Sequence, residues 1–109
     1  MNKILDELAQ ILEQRKSSSS DKSYVASLHA KGINKILEKV GEEATETIIA
    51  AKEYDANVDA TKKAVIHETA DLWFHTMVLL ENEGLELEDI LSELETRFGT
   101  SGHEEKSSR

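Results

Sequence analysis

The segment that decides the fold is INKILEKVGEEATETIIAAKE, residues 33–53. Apolar residues recur along it three and four positions apart, beginning with Ile33, Ile36 and Val40, and this is the spacing of one helix face. The whole chain lacks proline, and its strand-forming residues do not alternate with polar ones. We therefore predict a long helix over residues 33–53. Its acidic side chains either form a solvated surface or point inward at a group that needs negative charge.

The same periodicity predicts the other helices of an all-α protein. Two helices precede the quoted segment, over residues 2–15 and within residues 23–32, and the last helix lies near residues 87–98. Between them lies a third long helix that ends near Glu83, with Asp59 as its expected N-cap and Gly84 as its expected C-cap.

We expect a single domain over residues 1–99, a bundle of four to five helices. Residues 17–20 are four serines in a row and are expected to form a flexible loop. Residues 100–109 lack apolar side chains, which predicts a disordered C-terminal tail.

Composition excludes several classes of function. The 22 acidic and 13 basic residues give a formal charge of −9, which opposes binding to nucleic acid or an anionic membrane surface. Cysteine is absent, so disulfides and thiolate metal sites are excluded. No apolar run approaches the ~20 residues that cross a bilayer, and the acidic, amphipathic N-terminal segment is unlike a targeting peptide. We expect a cytoplasmic protein.

The third long helix is apolar on two sides, and a helix of that kind is buried on two sides. In a chain of 109 residues, the second side is best covered by another subunit, so we predict a homodimer or higher homo-oligomer that completes the core. The alternative is that the N-terminal segments cover it within one chain. One stripe contains Val65, Leu72, Thr76 and Leu79, and the other contains Ile66, Ala70, Trp73, Met77 and Leu80.

Two pairs of carboxylates follow the edges of these apolar faces. Glu43 and Glu46 are three positions apart, and so share a face of the helix over residues 33–53. Glu68 and Asp71 repeat this spacing on the next long helix, and His75 follows Asp71 by four positions. If the two helices pack antiparallel through their apolar faces, we expect all four carboxylates to meet.

Converging carboxylates need a counter-charge, because two like charges ~4 Å apart repel by ~4 kcal/mol even at an effective dielectric constant near 20. Oxygen ligands without cysteine suit hard divalent cations such as Mg²⁺. The pattern therefore indicates a site for Mg²⁺-dependent phosphate chemistry. The alternative is an ordinary solvated helix surface, on which Lys39 pairs with Glu43 along the helix.

The motifs K-V-G-E-E-A-T-E at residues 39–46 and E-T-A-D-L-W-F-H at residues 68–75 resemble those of the phosphoribosyl-ATP pyrophosphatase family. This family belongs to the MazG-like all-α nucleoside-triphosphate pyrophosphohydrolases, whose signature is E-x-x-E followed on the next helix by E-x-x-D. Ser23, Tyr24 and Arg97 also fit the pattern of the family. The resemblance covers roughly residues 3 to 98.

The resemblance implies hydrolysis of 1-(5-phosphoribosyl)-ATP to 1-(5-phosphoribosyl)-AMP and pyrophosphate, the second step of L-histidine biosynthesis. In this reaction, which requires Mg²⁺, water attacks the α–β phosphoanhydride. The ligands of Mg²⁺ would be Glu43, Glu46, Glu68 and Asp71.

The remaining polar residues of the motifs receive roles in the same reaction. We predict catalytic roles for Glu42, Glu43 and Glu46, with Glu42 or Glu46 accepting the proton of the attacking water. The predicted contacts to the substrate come from Lys39, Lys52, His75 and Arg97.

Two other functions stay open at this point. One is a house-cleaning pyrophosphohydrolase of the same superfamily that acts on a nucleoside triphosphate. The other is a non-enzymatic helical oligomer whose acidic residues serve only solubility.

Overall fold

The computed structural model describes residues 3–19 and 23–99, and within these ranges it is all-α. Its helices are α1 Lys3–Lys16, α2 Tyr24–Lys31, α3 Ile33–Lys52, α4 Asp59–Asn82 and α5 Leu87–Phe98. The predicted fold class is confirmed, and each described helix lies close to its predicted bounds. No helix in the described ranges is long and apolar enough to cross a membrane. The predicted tail, 100–109, and the last serine of the predicted loop lie outside the described residues.

The two ends of α4 each differ from the prediction by one position. Val58, with extended backbone, is the N-cap, and Asp59 is the first helical residue, where its carboxylate still faces the positive end of the helix. Glu83 is the C-cap, and Gly84 follows it with φ of +71°. A left-handed residue just beyond the cap is a common way to end a helix, and glycine adopts it without a steric cost.

The core is formed where α1 and α2 pack on the hairpin of α3 and α4. Helices α3 and α4 share the most extensive packing of any helix pair, whereas α5 has no buried residue. The buried apolar cluster consists of Leu12, Val25, Leu28, Ile36, Met77 and Val78.

The turn between α3 and α4 fixes how the two helices align. The Asp55 N–H donates to Oγ1 of Thr61 at 3.0 Å, and that hydroxyl lies 2.7 Å from the Val58 carbonyl. The Asp55 carboxylate in turn accepts from the Asn57 N–H at 2.9 Å. Because this turn is short and braced, α4 returns antiparallel to α3.

The buried face of α3 matches the predicted one only in part, since Ile36 is buried as predicted but other residues of that face are exposed. Its buried residues are Ile36, Glu43 and Ala50, which recur every seven positions and so form one stripe. Leu37 and Ile48, assigned to the apolar face from the sequence, are 49% and 64% exposed. The carboxylate of Glu43 therefore lies within the buried stripe rather than at its border.

Candidate active site

Three carboxylates converge between α3 and α4, as the antiparallel hairpin requires. One oxygen each from Glu43, Glu46 and Glu68 lies within 4.8 Å of the other two. Glu43 is only 5% exposed, whereas Glu46 is exposed and Glu68 is half-buried. We call this group, together with Asp71, the carboxylate cluster.

Asp71 joins the cluster through Glu68. Ligand atoms of Glu68, Asp71 and His67 also lie within 4.8 Å of one another. Nε2 of His67 is 3.3 Å from Oδ2 of Asp71 and 4.0 Å from Oε1 of Glu68. Sequence reasoning assigned His67 no role, although its spacing of four positions from Asp71 is the signal that could have found it.

The electrostatics of the cluster disfavour full ionisation. Burial raises the pKa of Glu43, and the neighbouring carboxylates of Glu46 and Asp71 raise it further. The pKa of Glu68 is raised by its carboxyl–carboxyl hydrogen bond with Glu46, and burial adds to this. Among the described residues, Oε2 of Glu43 and Oε2 of Glu68 are buried and have no hydrogen-bond partner.

These unpaired oxygens decide whether the residues fit a metal ion. A buried acceptor without a donor is costly, and several carboxylates that share a site favour a positive charge between them. The donor atoms are mainly carboxylate oxygens, which are the ligands that Mg²⁺ prefers. The cluster therefore fits a hard divalent cation by its chemistry as well as its spacing.

Lys39 and Glu42 lie next to the cluster on α3. Nζ of Lys39 is 3.0 Å from Oε2 of Glu42 and 3.8 Å from Oε1 of Glu43. The hydrogen bond from Lys39 lowers the pKa of Glu42. Glu42 thus lies beside the cluster, ion-paired and with its side chain about half exposed.

His75 follows Asp71 by one turn of α4, and it is 5% exposed. Its Nδ1 is 2.7 Å from the main-chain carbonyl oxygen of Asp71, and its Nε2 is 2.7 Å from the hydroxyl group of Tyr24. Both ring nitrogens are therefore engaged within the protein, so a substrate contact by His75 would require Tyr24 to leave. From the sequence, Tyr24 has no predicted role beyond its fit to the family pattern.

Two predicted substrate contacts are not brought to the cluster in one chain. Lys52 is exposed at the end of α3, about 9 Å along the helix axis beyond Glu46. Arg97 lies on α5, and within the described part of the chain its only ion pair is with Glu93, at 3.7 Å.

An all-α hairpin that presents four carboxylates from facing helices is the architecture expected of the all-α pyrophosphohydrolases. A family model described as phosphoribosyl-ATP pyrophosphohydrolase matches residues 5–98. A phosphoribosyl-ATP pyrophosphatase from Hydrogenovibrio crunogenus (strain DSM 25203 / XCL-2) is 56% identical over 108 residues, which cover 99% of this chain and 94% of the relative. The chain belongs to the phosphoribosyl-ATP pyrophosphohydrolase family, as its motifs predicted, and is a hydrolase.

Proposed function

We propose that this chain hydrolyses phosphoribosyl-ATP to phosphoribosyl-AMP and pyrophosphate, with the carboxylate cluster as its active site. The family match and the relative's name support the reaction. The observation that carries the site is the buried Glu43 carboxylate, which has an unpartnered oxygen and faces carboxylates from both helices. In its family's role, the enzyme would act in the second step of histidine biosynthesis, and we retain the predicted cytoplasmic location.

The ligand set proposed for Mg²⁺ is Glu43, Glu46, Glu68 and Asp71. A cation held there would neutralise charge on the substrate phosphates and activate water for attack. This matters because both the substrate and the protein are anionic, and the chain carries a formal charge of −9. His67 is a further nitrogen donor at the rim, since its ring lies 3.3 Å from Asp71.

Among the predicted bases, the contacts favour Glu46 over Glu42. Glu46 is exposed and belongs to the cluster, so water can reach it beside the phosphate. Glu42 is hydrogen-bonded to Lys39, which lowers its pKa and weakens it as a proton acceptor. Glu46 is therefore proposed to take the proton of the attacking water, while Glu42 holds Lys39.

Lys39 is proposed to bind a phosphate of the substrate. Its ammonium group already lies between Glu42 and Glu43, next to the cluster. Since the Glu42 side chain is about half exposed, the pair is readily exchanged for a phosphate oxygen. In this arrangement the leaving pyrophosphate has one fixed positive group beside it.

The test is pyrophosphate release by the purified chain with and without Mg²⁺, using phosphoribosyl-ATP and a panel of nucleoside triphosphates. We expect release from phosphoribosyl-ATP that stops when the cation is chelated. Faster turnover of a nucleoside triphosphate would support a house-cleaning enzyme instead, and no turnover of any substrate would refute a hydrolytic role.

We also propose that the chain is a homodimer whose interface includes Ile66 and Trp73 of the second apolar stripe of α4; Met77 of the same stripe is buried in the core of the single chain. Ile66 and Trp73 are 61% and 57% exposed in the single chain, so the N-terminal helices leave both uncovered. Beside Trp73 runs a groove of about 450 Å³ between α4 and α5, whose lining is almost wholly apolar. Exposed aromatic and aliphatic groups next to such a groove are typical of an interface.

A second subunit also offers a place for Arg97 to act. Helix α5, which carries it, packs only lightly on its own chain. We propose that Arg97 or Lys52 acts at the cluster of the partner subunit, because within the described residues of one chain neither forms an ion pair with a cluster carboxylate. Sedimentation of the wild-type protein at micromolar concentration should give a dimer or larger species, and a monomer would refute the proposal.

A further inference from the structure

Tyr24 lies on α2, outside the hairpin that carries the carboxylate cluster, yet its hydroxyl group is hydrogen-bonded to His75, whose ring contacts the main chain of Asp71. We propose that Tyr24 is a positioning residue of the active site: it fixes the ring of His75, and through that ring the turn of α4 that carries Asp71. The proposal rests on the function proposed above, because the carboxylates it concerns are the ligands assigned there.

The two hydrogen bonds of His75 specify one tautomer of its neutral ring. Nδ1 is 2.7 Å from the Asp71 carbonyl oxygen, which can only accept, so Nδ1 carries the proton. Nε2 of the neutral ring must then accept from the Tyr24 hydroxyl, 2.7 Å away. Without Tyr24, a buried acceptor would lose its donor and the ring would lose its fixed orientation.

The ring of Tyr24 and its hydroxyl group make different contacts, so the two can be tested separately. The ring stacks on Phe74 with centroids 6.4 Å apart and planes at 20°, and it meets His75 edge-on at 5.7 Å. Ser23, at the N-cap, accepts from the Ala26 N–H at 3.2 Å and so begins α2 next to this contact. A phenylalanine at position 24 would keep the stacking and remove only the hydrogen bond.

His75 is connected to the carboxylate cluster through Asp71. The ring bonds the main-chain carbonyl of Asp71 directly, at 2.7 Å. Groups that orient metal ligands from behind commonly change metal affinity or activity by 10- to 100-fold when removed. Tyr24, half exposed and not part of the apolar core, has the position of such a group.

The experiment compares Tyr24→Phe with two controls. Tyr54→Phe removes an exposed tyrosine hydroxyl in the turn after α3, and Leu28→Val removes a buried methylene from α2 without touching the cluster. Mg²⁺ binding is measured by calorimetry in the absence of substrate. We expect Tyr24→Phe to weaken it about tenfold, whereas both controls bind Mg²⁺ as the wild type does.

A second readout needs no metal. Long-range ¹⁵N–¹H correlation spectra of the metal-free protein should show His75 as the Nδ1–H tautomer in the wild type, and Tyr24→Phe should shift the Nε2 resonance because Nε2 loses its hydrogen-bond donor. Unchanged spectra and unchanged Mg²⁺ affinity in Tyr24→Phe would overturn the inference, as would an equal loss of affinity in Leu28→Val. If the wild type itself binds no Mg²⁺, the proposed function fails, and the Nε2 resonance of His75 alone decides the role of Tyr24.

Discussion

Glu43→Gln should stabilise the metal-free protein while removing its response to Mg²⁺. The substitution keeps the shape of the side chain and removes a charge that is 5% exposed and surrounded by other carboxylates. A group arranged to hold a cation is destabilising when the cation is absent, because its repulsions are then uncompensated.

The size of the effect follows from the distances. At 4.8 Å, two like charges repel by ~3.5 kcal/mol at an effective dielectric constant near 20. The attraction between Glu43 and Lys39 at 3.8 Å is of similar size and offsets about one such repulsion. With two carboxylates close to Glu43 and all three ionised, the net gain would be ~3 kcal/mol, and partial protonation reduces it to roughly 1–2 kcal/mol. For a domain of this size, that corresponds to a rise in Tm of about 4–16 °C.

The assay is thermal unfolding in chelator and in excess Mg²⁺, at one protein concentration because an oligomer's Tm depends on it. Glu38→Gln is the matched control, since it removes a carboxylate of α3 whose only ion pair in the described structure is with Lys35, at 3.4 Å. A Tm for Glu43→Gln at or below that of the wild type in chelator would refute the reasoning. A wild-type Tm that does not change when Mg²⁺ is added would refute the reasoning as well.

Four further outcomes are expected. The pKa values of Glu43 and Glu68 are raised above 4.5 in the folded state, so the folded state binds more protons than the unfolded state. Tm in chelator should therefore fall as pH rises from about 4.5 through those raised values. A Tm that does not change with pH would contradict the raised pKa values. Trp73→Glu should give a monomer in sedimentation velocity with an unchanged circular dichroism spectrum. A dimer that persists in this variant would show that Trp73 is not in the interface. Lys39→Met should raise KM for phosphoribosyl-ATP about tenfold while the Tm gain from Mg²⁺ persists; an unchanged KM would remove Lys39 from the substrate site. Gly84→Ala should lower the free energy of unfolding by about 1 kcal/mol in urea titrations, because alanine is strained at a φ of +71°; an equal midpoint would show that the turn relaxes freely.

The helices were predictable because their apolar residues repeat with the helical period, and this signal is local. Helix ends were less predictable: Asp59 was the expected N-cap of α4, and only the extended backbone of Val58 shows that the cap lies one residue earlier. The buried face of α3 was also misplaced in part, since Leu37 and Ile48 are as apolar as Ile36. Which apolar residue is buried depends on the packing partner, and one helix considered alone does not contain that information.

The convergence of the carboxylates was predictable for the same local reason. Each pair shares one helix face, and a short turn makes α3 and α4 antiparallel neighbours. The bond between Tyr24 and His75 was not predictable in this way, because it joins residues 51 positions apart on helices that are not consecutive. His75 was predicted to contact substrate, and in this fold both of its ring nitrogens are hydrogen-bonded within the protein.

A buried carboxylate such as Glu43 persists in a folded protein only if something else offsets its cost. A cation at 100 times its Kd stabilises the folded state by ~2.7 kcal/mol, which exceeds the roughly 1–2 kcal/mol that the charge costs without it. The order of Tm values should therefore reverse: Glu43→Gln melts above the wild type in chelator and below it in saturating Mg²⁺. A purely solubilising acidic surface predicts neither the gap nor the reversal, since its charges are already compensated by water. The reversal thus distinguishes a cation site from an acidic surface without any measurement of turnover.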